Sequence, residues 1–399
     1  MVGGLGGKAE ETVTGRRGMR RVALLVETSN GYARGLLRGV IDYARDHGHW
    51  SVYLGEHGRG DEPPRWLARW DGDGIIARIE NERIARAVTR SGRPVVDVSA
   101  ARLLPELPWV ETDDRAIAQQ AAEHLLERGI RHFAYFGDER FNWSNWRQEH
   151  FCELLEKQGF DCAVYSASAA SKRDWEHEED ELADWLAGLP KPVGVMACYD
   201  IAGRVVLDAC RRARVKVPDE VAVVGVDNDG LVCELSDPPL SSVQPDSRRT
   251  GYTAASLLDR MMRGRRVKKL SYRIPPLGVV TRQSSSVLAV TDQDVAEAVR
   301  YIRDHACDGI NVKDVLQRVP LSRRALEARF VKAVGRTPHA EVERVRLERV
   351  RHLLLVTDLS IAEVARRTGF RHQEYLSVAF RRYTGQSPTA FRSEARAGA

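Results

Sequence analysis

The chain has 399 residues, 43% of them hydrophobic, with 61 Lys+Arg against 56 Asp+Glu and a formal net charge of +5. That length holds two or three domains, and the composition is that of ordinary globular cores. No apolar run approaches about 18 residues, which excludes a membrane-spanning helix. The six cysteines form no CxxC pair, so they read as reduced thiols of a cytoplasmic protein, not as a disulfide framework.

Residues 1–19 contain no apolar core and read as a disordered tail, not a secretory signal, with Met19 as an alternative start. Their glycines form no phosphate loop, because Gly7-Lys8 is followed by Ala9. His47, His49 and His57 form the one histidine cluster. They lack the spacing of a zinc site, so no metal and no cofactor are expected.

From residue 20 the pattern alternates strand and helix. Strands are expected at 21–26, 50–54, 74–77 and 94–98, and helices at 32–47, 66–70 and 82–91. The strand runs are continuously apolar, as in a parallel sheet covered on both faces. After Val110-Glu111-Thr112-Asp113 the alternation restarts. Helices are expected at 115–128, 146–158, 176–189, 201–212 and 250–262, and strands at 132–136, 163–165, 193–197, 221–226 and 272–274. This predicts two similar α/β lobes over 20–283, with the chain crossing between them near 113, 243 and 270. Ligands of such sheets sit beyond the carboxyl ends of the strands, which here is the cleft between lobes.

Strand ends carry groups suited to a polyol. Asn30 follows the first strand, Asp200 the strand at 193–197, and Asp227 the strand at 221–226. Carboxylates and amides bond sugar hydroxyls, while aromatic faces such as Tyr32, Trp143, Trp146 and Tyr199 cover the C–H side of a ring. Each has a plainer alternative: Asp200 as a helix N-cap, Asp227 as a turn cap, the aromatics as core. These segments resemble the periplasmic sugar-binding and LacI-type effector fold. The matching stretches are TSNGYARGLLRGV, WRQEHFCELLEKQGF, ACYDIAG, VAVVGVDN and SSVQPDSRRTG. The resemblance implies ligand contacts from Asn30, Tyr32, Trp143, Arg147, Tyr199, Asp200, Asp227 and Gln244. Tyr199 stands where that family usually has Asn.

Residues 284–291, beginning in Ser284-Ser285-Ser286, read as a linker. Beyond it, residues 291–399 hold 20 Lys+Arg against 14 Asp+Glu, so the chain's net positive charge lies in this last quarter. A pattern there occurs twice. Leu326, Phe330, Gly335 and Pro338 recur as Leu376, Phe380, Gly385 and Pro388 at a spacing of 50. Each copy predicts two short helices around a tight turn, broken at Pro320 and Gly369, which is the helix-turn-helix pattern. Ser322 is placed to cap the second helix of the first copy. An uninterrupted helix from His339 to about Val356 joins the copies. Its length of roughly 27 Å suits two major grooves about 34 Å apart.

The stretch 292–394, ending in GFRHQEYLSVAFRRYTGQSPTAFR, is identified as a member of the AraC family of DNA-binding domains. That resemblance implies DNA contact by Ser322, Arg323, Arg324, Glu327 and Ala328 in the first copy. In the second it implies contact by His372, Gln373, Glu374, Ser377, Val378 and Arg381. Val378 stands where Arg is common. A sugar-binding fold followed by this domain is the order of bacterial xylose operon regulators, which the chain resembles along nearly its whole length. The resemblance implies an activator whose effector is D-xylose or a related sugar. It further implies a homodimer on direct repeats of double-stranded DNA, contact with RNA polymerase, and a nucleoid-associated location. The alternatives are the same architecture with another sugar or as a repressor, a ligand-free nucleoid-type DNA binder, and a sugar-modifying enzyme. No GxSxG, HExxH or GxGxxG motif supports the enzyme.

Overall fold

The computed structural model describes residues 19–397 except 57, 59–60, 168–174, 268 and 287–291. The predicted tail up to residue 18, His57 and most of the predicted linker therefore lie outside the described residues. The chain divides into two compact units, 1–287 and 288–399.

The first unit carries two sheets. Its first lobe holds β1 (Arg20–Leu25), α1 (Gly31–His47), β2 (Trp50–Leu54), β3 (Gly74–Ala77), α2 (Glu82–Arg90), β4 (Val95–Asp97) and β5 (Trp109–Thr112). The second holds α3 (Asp114–Leu126), β6 (His132–Asp138), α4 (Asn142–Glu156), β7 (Cys162–Ala167), α5 (Trp175–Gly188), β8 (Val193–Ala197), α6 (Asp200–Arg212), β9 (Val221–Val226), α7 (Gly230–Leu235) and β10 (Ser241–Gln244). The chain then returns to the first lobe with α8 (Ser247–Met262) and β11 (Ser271–Ile274), and re-enters the second with β12 (Gly278–Val280). The strand orders are β11-β5-β4-β3-β1-β2 and β12-β10-β9-β8-β6-β7. Every pairing is parallel except β10 with β12.

The crossings fall where the sequence places them, but β5, β10, β12 and α7 stand where no strand or helix is predicted. β12 is short and half-buried, so it lacks the apolar run that marks its neighbours. Helix α1 buries Tyr32, Leu36, Val40 and Tyr43 and lies directly on α8. A Cβ on Gly39 would stand 1.9 Å from the Arg248 carbonyl, and one on Gly251 1.9 Å from that of Leu36. Only glycine permits two helix backbones to meet this closely.

The expected linker begins inside the first unit. Ser284 and Ser285 are fully buried. The Ser284 hydroxyl donates to the Val223 carbonyl at 2.7 Å and accepts from the Ser241 amide at 2.8 Å. His124 Nε2 shares a 2.7 Å hydrogen bond with the Ser285 hydroxyl, and Arg128 Nε donates to the Ser285 carbonyl at 2.7 Å. Serines suggest a linker by composition, but here they satisfy buried backbone groups at the edge of β9 and β10.

The second unit is helical: α9 (Gln293–His305), α10 (Val312–Leu316), α11 (Arg323–Val334), α12 (Pro338–Val356), α13 (Ile361–Arg367), α14 (Gln373–Thr384) and α15 (Pro388–Ala397). It has two cores. Val295, Val299, Ile302, Val315, Leu326, Phe330 and Val342 form the first; Leu347, Val350, Leu353, Val364, Phe370, Leu376 and Phe380 form the second. Helix α12 gives its first half to one core and its second half to the other. Pro338 opens it at the first turn, and Gly335 and Gly385 close α11 and α14 in the left-handed conformation.

Candidate effector cleft and nucleic-acid interface

The carboxyl ends of the strands open onto one cleft in the first unit. It is lined by Tyr32, Arg78, Glu111 and Thr112 from the first lobe and by Trp143, Arg147 and Asp227 from the second, around an empty space of about 360 Å³.

Arg78, Arg147 and Glu111 are each held by neighbouring side chains. Arg78 Nη1 donates to Glu27 at 3.0 Å and Nη2 to Glu80 at 2.7 Å, with the guanidinium over the Tyr32 ring at 5.7 Å. Burial pulls the Arg78 pKa down, but Glu80, Glu27 and Glu111 outweigh it and keep the group charged. Its Nε is buried without a protein hydrogen bond, a donor left for a bound molecule or water. Arg147 Nε donates to Asp114 at 2.7 Å and Nη1 to the Cys198 carbonyl at 2.6 Å, and the guanidinium stacks 5.0 Å from Trp143. The Tyr32 hydroxyl donates to Glu111. Burial raises the pKa of Tyr32 well above the ordinary phenol value, with the Glu111 charge adding to it. Burial also raises that of Glu111, against the pull of Arg78.

Asp227 adopts φ +110 and Asn228 φ +50. Two successive non-glycine residues in the left-handed region are strained, and such strain gathers at ligand sites. Here it turns the chain at the end of β9 so that the Asp227 carboxylate joins the lining. Two cations, Arg78 and Arg147, face two anions, Glu111 and Asp227. The lining is balanced, rich in donors and acceptors, and walled by Tyr32 and Trp143. This arrangement suits a small neutral polyhydroxylated molecule and disfavours a phosphorylated or acidic one.

Of the eight predicted ligand residues, Tyr32, Trp143, Arg147 and Asp227 line this space. The other four do not. Asn30 caps α1, its Oδ1 accepting from the Ala33 amide at 2.8 Å and its amide donating to Glu27. Asp200 is buried beneath the cleft, accepting from the Asp229 amide at 2.7 Å and the Ser242 hydroxyl at 2.6 Å. Burial and the nearby Asp227 charge raise its pKa. Gln244 accepts from Asn228 Nδ2 at 3.3 Å. Tyr199 sits behind Trp143, edge-on at 5.6 Å. Trp146, also considered, packs edge-on against Trp109 at 6.5 Å. Arg78, Glu111 and Thr112 were not predicted. Arg78 directly follows β3, a predicted strand, so the strand-end rule that found Asp227 also reaches it; Glu111-Thr112 ends β5, for which the sequence predicts no strand.

In the second unit the paired motif is formed twice, as α10–α11 and α13–α14. The Ser322 hydroxyl caps α11, accepting from the Ala325 amide at 3.3 Å. Arg323, Arg324 and Ala328 are exposed, Glu327 is half-buried, and Arg323 Nε pairs with Glu327 at 3.0 Å. On α14, Gln373, Glu374, Val378 and Arg381 are exposed, as is His372 before it; Ser377 is half-buried. Arg346 on α12 donates to the carbonyls of Ala306 and Ile310 at 2.7 Å each and lies over the Phe370 ring at 5.8 Å. It ties the connecting helix to both cores. With 19 residues, α12 is about 28 Å long.

A two-lobed effector cleft carried with paired helix-turn-helix motifs defines a ligand-responsive, DNA-binding transcription regulator. Family models agree part by part: an XylR N-terminal domain matches residues 21–115, a periplasmic binding protein-like domain 122–285, and a helix-turn-helix domain 315–394. The chain is 33% identical over 382 residues to the xylose operon regulatory protein of Escherichia coli K12, covering 93% of this chain and 96% of that one. It is 31% identical to the protein of the same name in Haemophilus influenzae, over 93% and 98%. A solved structure described as the xylose-binding transcription activator xylR aligns with TM-score 0.74 at 32% identity, covering 94% and 98%. The chain belongs to the xylose operon regulatory protein family. Among the described residues no helix is long and apolar enough to cross a membrane.

Proposed function

We propose that this chain is a xylose-responsive activator of transcription that acts as a homodimer on tandem DNA sites. The carrying observation is the charge-balanced cleft, in which buried Arg78, Glu111 and Arg147 and half-buried Asp227 face one small space between aromatic walls. It fits the reactivity named for the relatives, an operon regulator and a xylose-binding activator. No cofactor is required; the sugar is the effector.

The sugar bridges the lobes, and its differential affinity favours the closed arrangement. Helix α3 supplies a route from cleft to exit. Asp114 at its start holds Arg147, while His124 near its end and Arg128 just beyond it hold Ser285, close to where the chain leaves the unit. A change at Arg147 therefore moves the exit through one stiff helix. In a dimer this alters how two pairs of helix-turn-helix motifs engage direct repeats, where tethering raises effective concentration. RNA polymerase is the partner in activation, and the nucleoid is the place of action.

The test is a thermal-shift panel on the full chain with D-xylose, its epimers, common hexoses and xylose 5-phosphate. A ligand at 100 times its Kd adds about 2.7 kcal/mol. A shift with D-xylose and none with the phosphate is expected. A shift with a hexose alone, or with no sugar, refutes the xylose assignment.

A further inference from the structure

Val378 is 66% exposed, the most exposed large apolar side chain among the described residues of the second unit. Tyr375 and Tyr383, the other exposed apolar residues of α14, tie their hydroxyls to Glu343 and Glu348 on α12. Val378 has no polar group to tie. It stands midway along the outward stripe of α14 formed by Glu374, Val378 and Arg381, spaced i, i+4, i+7. The internal repeat places Ala328, also exposed, at the corresponding point of α11, between Arg324 and Val331. Both second helices thus carry a short apolar side chain at the same point of the outward stripe, on α14 between two charged residues and on α11 between Arg324 and Val331.

A helix in the major groove meets one apolar feature on base edges, the C5-methyl of thymine, and short aliphatic side chains are suited to it. An arginine there would instead seek the acceptors of guanine or a phosphate. We propose that Val378 and Ala328 read thymine methyl groups, so that each DNA site carries a thymine at two corresponding positions about one helical turn apart. The inference rests on the reading of the second unit as the DNA-binding part. It adds the base that each motif selects at its centre.

The test begins with selection of binding duplexes from a random pool by the full chain with D-xylose present. Each thymine of the selected site is then replaced singly by deoxyuridine, which removes only the methyl group. One such replacement in the second half-site is expected to weaken wild-type binding about fourfold, the equivalent of about 0.8 kcal/mol for one buried carbon. A smaller loss is expected one turn away, opposite Ala328. In Val378→Ala the fourfold penalty falls below about twofold, and in Val378→Ser it disappears. Both variants keep the wild-type melting profile, because the side chain packs into no core. Selective binding with no deoxyuridine penalty anywhere, or an unchanged penalty in both variants, overturns the proposal while leaving the DNA-binding reading intact. A pool that yields no preferred sequence overturns both.

Discussion

Replacing Arg147 by alanine tests the cleft as a piece of electrostatics. The guanidinium is buried, 2.7 Å from Asp114 and 2.6 Å from the Cys198 carbonyl. Its removal strands a carboxylate that is itself buried. Breaking one side of such a pair costs about 3–5 kcal/mol, and a domain of this size loses about 2–4 °C in Tm per kcal/mol. The expected loss is therefore roughly 6–20 °C. The pH dependence carries a sign. Burial already raises the Asp114 pKa against the pull of Arg147, so without the arginine it rises further above its unfolded value of about 3.9. A raised carboxyl contributes stability at low pH and loses it as pH rises through the folded pKa. The deficit of Arg147→Ala must therefore shrink from pH 7.5 to 5.5, as measured by urea unfolding of both proteins at each pH. The double variant Arg147→Met with Asp114→Asn recovers most of the stability but no sugar-induced shift. A Tm loss under about 2 °C, or a deficit that grows on acidification, would refute the reasoning.

Asp97 ends β4 with its Oδ2 buried and unbonded, and burial raises its pKa to about 7. Its favourable contribution belongs to the protonated form, is full only below the unfolded value of about 3.9 and is gone above pH 7, so Asp97→Asn should stabilise the protein more at pH 8 than at pH 4. Equal effects at both values would count against a protonated Asp97. His124 goes the other way, since burial lowers its pKa to about 3. Below its unfolded value near 6.5 the folded state loses about 1.4 kcal/mol per pH unit from this group, a slope that His124→Gln removes; parallel pH–stability curves would exclude it. Gly39→Ala forces a methyl group against the Arg248 carbonyl and should cost at least about 1–3 kcal/mol, read as a lowered urea midpoint. A variant as stable as wild type would mean that α1 and α8 slide apart freely.

The sequence by itself determined the architecture. Alternating apolar runs gave two parallel-sheet lobes because strands covered on both faces must be apolar throughout, a property written residue by residue. The 50-residue repeat gave the paired helix-turn-helix motifs because Leu326, Phe330, Leu376 and Phe380 sit at helical spacing around fixed turn residues. Strand-end position also delivered Asp227, and the resemblance to the sugar-binding fold delivered Tyr32, Trp143 and Arg147; the structure brings all four around one space. Only tertiary packing decided which strand-end groups face the cleft and which hold it up. Asp200 and Asp227 look alike in sequence, each acidic and each following an apolar strand. Yet Asp200 turns under the cleft to the Asp229 amide and the Ser242 hydroxyl, while the left-handed turn at Asp227 aims its carboxylate inward. The same holds for Ser284 and Ser285, polar by composition but buried against β9, β10 and α3. A side chain's direction depends on backbone angles and on neighbours far away in the chain, and neither is encoded in its own position.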